Sequence, residues 1–127
     1  MLANSLVEKL KTLSLTGSPV IKTGALAATH EIGVLVKSPL DGMKVDPEMP
    51  GYVTGAIQIV VRHKDPIAGD ALAKEISTKL TVKGTPMPLT GYTLKCFYPM
   101  SEPIMFPPND AALFEFSVTF QCHATSG

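Results

Sequence analysis

Residues 113–123 read Leu-Phe-Glu-Phe-Ser-Val-Thr-Phe-Gln-Cys-His. Phe114, Phe116, Val118, Phe120 and Cys122 alternate with Glu115, Ser117, Thr119, Gln121 and His123, and only Leu113 breaks the pattern. Alternate residues of a strand point to opposite faces, so period 2 predicts one dry face and one polar face. A strand dry on one side belongs to an antiparallel sheet with a layer over that side. The polar side is expected to be open. At about 3.3 Å per residue the stretch spans roughly 36 Å, and shorter strands must find their register against it.

Two more stretches read as strands around it. Residues 53–63 carry Ile57, Ile59, Val61 and His63 on one side and Ala56, Gln58, Val60 and Arg62 on the other. Apolar residues on both sides place that strand centrally, and Gly55 marks a possible bulge. Residues 91–98 place Tyr92, Leu94, Cys96 and Tyr98 on one side. A shorter strand is expected over 31–37, with Ile32, Val34 and Val36 together and Ser38-Pro39 closing it.

Two helices complete the reading. Leu2, Leu6, Leu10 and Leu13 recur at helical spacing and predict a helix over 4–15 that stops at Thr16-Gly17-Ser18-Pro19. Asp65-Pro66 supplies an N-cap and a first helical residue that needs no amide donor. Leu72, Ile76 and Leu80 then form an i, i+4, i+8 stripe up to Gly84. Residues 20–29 are small and apolar and fit a short strand or an irregular crossover equally. The expected fold is α+β: a mainly antiparallel four-stranded sheet with two helices on one face, in the order α-β-β-α-β-β, as one domain over 1–127.

Composition excludes several classes. Eleven basic and eleven acidic residues cancel, and no basic run is present, so nucleic-acid recognition by bulk charge is not expected. No apolar run approaches 18 residues, so no membrane span is expected, and Met1-Leu2-Ala3-Asn4 lacks the pattern of a secretory signal. Charged residues make up 17%, below the usual ~25%. That fits a permanently assembled subunit, and it also fits an ordinary adhesive domain. Cys96 and Cys122 read as buried free thiols.

No motif with a mechanism is found: no phosphate-cradling glycine loop, no nucleophile elbow, no zinc-binding helix. No catalytic, cofactor or metal residue is assigned. Asp41, Asp46 and Glu48 share a loop and read as solvated, not as a cation site. Two turn-rich stretches, 39–51 and 99–110, are expected to be long loops, which in small domains often carry function. They supply the interface candidates: Asp41, Met43, Lys44 and Met49 from the first, and Met100, Ile104, Met105 and Phe106 from the second. Met and Phe are favoured at docking surfaces.

The stretch Gly55-Ala56-Ile57-Gln58-Ile59-Val60-Val61-Arg62-His63-Lys64-Asp65-Pro66 runs directly into the second helix. A proline-rich loop and the closing strand from Asn109-Asp110-Ala111 into Phe114-Glu115-Phe116 follow it. This resembles the small minor capsid, or tail-terminator (tail-completion), proteins of tailed bacteriophages. The resemblance implies a structural virion protein, assembled in the host cytoplasm, with no active site and no cofactor. It implies a homo-oligomeric ring, usually a hexamer, at the head-proximal end of the tail. Such a ring caps the tail tube and joins it to the neck or connector. The alternatives are another phage neck or baseplate component, or a small α+β ligand-binding domain or enzyme using His63, Asp65 and Tyr98.

Overall fold

Two long antiparallel strands carry the structure. The computed structural model describes residues 2–17, 19–24, 31–38, 42–108 and 113–126. Strand β4 (Tyr52–His63) pairs with β8 (Phe114–Ser126) without a break, from Tyr52↔Thr125 to His63↔Phe114. Their odd and even residues respectively, Ile57, Ile59, Val61, Phe116, Val118, Phe120 and Cys122, form one almost fully buried face. The remaining elements are α1 (Leu2–Lys11), β1 (Val20–Thr23), β2 (Gly33–Lys37), β3 (Lys44–Val45), α2 (Pro66–Leu80), β5 (Met87–Leu89), β6 (Tyr92–Pro99) and β7 (Ile104–Phe106).

The expected four-stranded antiparallel sheet is therefore corrected. The sheet has eight strands and is mixed, and it curls into a half-barrel. Its main order is β1-β2-β4-β8-β6-β5, with β1 parallel to β2 and the other pairs antiparallel. Four of the strands are only two to four residues long, and length is what hid them. Strands β3 and β7 fall inside the two stretches expected to be loops. Each stretch is an interrupted strand: β2 and β3 both pair with one side of β4, and β6 and β7 both pair with one side of β8. The chain leaves its partner and returns to it. Met100 stays tied across the second interruption, its amide donating to the Thr119 carbonyl at 2.9 Å. No register shift occurs at Gly55; the irregularity lies on β6, between Leu94 and Cys96.

Helix α2 begins where the sequence places it. Asp65 is the N-cap, its carboxylate accepting from the Ile67 amide at 3.1 Å, and Pro66 follows. Leu72, Ala73, Ile76 and Leu80 face the sheet. Gly69 lies so close to β8 that an added Cβ would meet the Phe116 ring at 2.5 Å and the His63 Cβ at 2.9 Å. The absence of a side chain at Gly69 sets the spacing between helix and sheet.

Helix α1 fills the mouth of the half-barrel. It buries Leu2, Ala3, Leu6, Val7 and Leu10 against the same core as α2. It also touches both outer strands of the sheet. The Thr23 hydroxyl donates to Asn4 Oδ1 at 3.2 Å beside β1, and the Ser5 hydroxyl donates to the Thr90 carbonyl at 2.6 Å beside β5. Covering edge strands in this way removes templates for unwanted pairing. Beneath the helices, the Phe97 and Phe120 rings stack with centroids 4.7 Å apart, a pair contributing about 0.5–1.5 kcal/mol beyond its buried area.

The other face of the sheet is less open than the alternation predicts. Ser117, Leu35 and Val60 on that face are buried, and most of their neighbours on β4 and β8 are half-buried.

Candidate assembly surface

The exposed apolar side chains cluster at the interrupted strands. Val45 and Met49, in and after β3, are 69% and 54% exposed. Met100, Ile104, Met105 and Phe106, before and within β7, are between 43% and 56% exposed. Backbone pairing fixes where these residues stand. Lys44 and Val45 pair with Thr54 and Val53, and the turn back to β4 is held by Asp46 N to Tyr52 O (3.1 Å) and Tyr52 N to Met49 O (3.0 Å). Ile104, Met105 and Phe106 pair with Ser117, Phe116 and Glu115.

Strand register then assigns faces. Ile104 and Phe106 share the outer face with Ser117 and Glu115, and Met105 shares the helix-bearing face with Phe116. The two apolar segments lie on opposite sides of the β4–β8 ribbon. Val45 is level with Val53, and Met105 is level with Val61, eight residues further along β4. At about 3.3 Å per residue that is a separation of about 26 Å along the strands. The molecule thus presents two unlike apolar surfaces on opposite flanks, a geometry suited to head-to-tail contact.

Of the sequence candidates, the structure brings Met43, Lys44 and Met49 to the first surface, and Met100, Ile104, Met105 and Phe106 to the second. Met43 is partly buried against the core. Asp41 lies outside the described residues. Two exposed apolar residues were missed, Val45 at the first surface and Ile67 apart from both on α2. Val45 follows Met43 at strand spacing, but two apolar residues between Gly42 and Pro47 are too few to show a period. Ile67, 81% exposed in the first turn of α2, falls off the buried stripe.

The polar groups of the outer face are largely engaged with one another. Arg62 pairs with Glu115 across β4 and β8 at 3.3 Å. Gln58 donates to the Ser117 hydroxyl at 2.7 Å, and Tyr52 Oη lies 3.0 Å from His123 Nδ1. Lys83 stands over the Tyr98 ring, 5.8 Å from its centroid.

His63, Asp65 and Tyr98 do not converge. Tyr98 pairs with Gln121 on the outer face, whereas His63 pairs with Phe114 and points to the helix side. The Asp65 carboxylate caps α2, and it is the Asp65 backbone amide that donates to His63 Nδ1, at 2.9 Å. Cys96 and Cys122 are free thiols on neighbouring strands but opposite faces, since Cys96 pairs with His123. Burial, with a smaller contribution from Cys96, pushes the Cys122 thiol up to about 12. Among the described residues no three His, Cys, Asp or Glu side chains gather as metal ligands, and no helix is long and apolar enough to cross a membrane. The Asp46 carboxylate accepts from the Glu48 amide at 2.8 Å and so serves the turn.

The family model described as bacteriophage tail terminator protein matches residues 27–126, which include both interrupted strands and the β4–β8 ribbon. None of the curated proteins compared matches the chain. The resemblance carried by residues 55–66 and the closing strand is thereby established: the chain belongs to the bacteriophage tail terminator family and is a structural component of the phage tail.

Proposed function

We propose that this chain is the subunit of a closed ring, a hexamer, that caps the head-proximal end of the tail tube and joins it to the neck of the virion, with no reaction to catalyse. The observation that carries this reading is the pair of unlike apolar surfaces at β3 and β7 on opposite flanks of the ribbon. A head-to-tail interface of two different surfaces closes into a ring when its rotation divides a full turn, and continues as a fibre otherwise. Lys44, Met43, Met49 and Val45 supply one surface, and Met100, Ile104, Met105 and Phe106 the other. Parts of either that remain uncovered within the ring are available to the tube and the neck. The low charge agrees, because interface cores are depleted of charged residues.

The test is association. Purified protein followed by light scattering across a concentration series is expected to give a discrete multimer of about six subunits, either alone or when tail tubes are added. A particle that stays monomeric at every concentration and fails to bind tubes refutes the proposal.

A further inference from the structure

A cavity of about 370 Å³ lies between the segment after α1 and the outer side of α2, lined by Thr16, Gly17, His63, Ala68, Ala71, Leu72 and Glu75. Its size is at the small end of the range for pockets that hold a bound group, about 300–1,000 Å³. Most of its wall is apolar. Thr16 and Glu75 are already joined, the Thr16 amide and hydroxyl donating to the Glu75 carboxylate at 3.1 and 3.3 Å, and Lys79 binds the same carboxylate at 3.0 Å.

His63 is different. It is 8% exposed, and its Nδ1 accepts from the Asp65 amide. A ring nitrogen that accepts carries no proton, so the neutral ring holds its proton on Nε2 and Nε2 is a donor. That donor has no partner among the described residues. Buried polar groups are nearly always hydrogen-bonded, so a buried donor lining a cavity calls for an acceptor placed there.

We propose that this cavity is the socket of the subunit contact and that it receives Phe106 of a second copy of this chain, with a backbone carbonyl of the Phe106-Pro107-Pro108 segment accepting from His63 Nε2. The inference rests on the closed ring proposed above, and it seats the β7 surface in this cavity, which leaves the β3 surface to the tube or the neck. Three observations select this occupant. Phe106 is the aromatic member of the exposed large apolar side chains among the described residues. The two prolines after it have no amide hydrogen, so the segment offers acceptors without rival donors, matching a socket whose free group is a donor. A residue before proline is held extended, which presents the Phe106 ring in advance. Position agrees as well. Phe106 is level with Glu115 and Arg62, one residue from His63, but on the opposite face of the sheet. Knob and socket therefore lie at one end of the ribbon and on opposite faces, so that copies stack in one direction.

The experiment uses the full chain in a Cys96→Ser background, with Phe106→Cys, Ala71→Cys and both together. Ala71 is exposed, so the variant keeps its fold, checked by circular dichroism. Under mild oxidation, the mixture of the two single variants is expected to give a covalent dimer that neither gives alone, and the double variant a covalent ladder that ends at the ring. Phe106→Ala is expected to weaken self-association at least about tenfold. If rings form but no cross-link appears, this socket is wrong and the ring reading stands. If no multimer forms with or without tubes, both fail.

Discussion

Replacing Gly69 by alanine sets two physical effects against each other. In an exposed helix interior, glycine to alanine stabilises by about 0.8–1 kcal/mol. At Gly69 the new methyl would stand 2.5 Å from Phe116 Cε1, 3.0 Å from Phe116 Cδ1 and 2.9 Å from His63 Cβ. Neither partner is a flexible end. Phe116 is 3% exposed within the core, and His63 Cβ is anchored directly to β4. Inserting a methylene-sized group into such a site costs about 1–3 kcal/mol. With two partners below contact distance we take the upper part of that range, which leaves a net loss of about 1–2 kcal/mol. For a domain of this size that lowers Tm by about 4–8 °C. Urea unfolding at fixed protein concentration measures it, with the m value unchanged if only stability moves. Phe116→Leu removes the ring edge, so Gly69→Ala placed on that background is expected to cost about 1 kcal/mol less, a coupling read from the double-mutant cycle. A Gly69→Ala protein more stable than the parent by about 1 kcal/mol refutes the close approach of α2 to β8.

Asp65→Ala removes the N-cap of α2 and is expected to cost about 1 kcal/mol in urea unfolding, whereas Asp65→Asn retains most of it, since either side chain accepts from the Ile67 amide. In the native protein a thiol reagent at pH 8 is expected to modify Cys96 and leave Cys122 untouched until denaturant exposes it. The Cys122 thiol is raised from 9.0 to about 12, so the unfolded chain loses that proton first and stability falls as pH climbs from about 9 towards 12. Equal native reactivity of the two thiols, counted by mass spectrometry, contradicts the burial of Cys122.

The parts of the fold legible in the sequence are those with many residues in one pattern. The β8 alternation, the two-sided apolar run of β4 and the Asp65-Pro66 cap with its stripe each rest on a dozen residues or a specific hydrogen bond. Short strands were not legible, because two residues cannot show a period. Lys44-Val45 and Ile104-Met105-Phe106 sit among prolines and glycines that read as turns, and only pairing with a partner far along the chain makes them strands. The parallel pairing of β1 with β2 likewise depends on tertiary context. The candidate surface fared differently. Its residues were identified by their apolar character in turn-rich sequence, but their faces were not, since Met105 and Phe106 point to opposite sides once the register is set. His63 was legible as a strand-end histidine beside a helix cap, and it stands there: the Asp65 carboxylate serves the helix start and the Asp65 amide reaches the ring.

The bond from Ser5 to Thr90 spans 85 positions of the chain. During synthesis α1 emerges early, yet one of its two resting places is made only when the stretch around Thr90 has left the ribosome. Until then its leucines have no finished seat, and an amphipathic helix this short is marginal by itself in water. Maturation of the subunit is therefore gated by its late strands, and a nascent chain arrested before residue 90 should expose the leucines of α1 to chaperones.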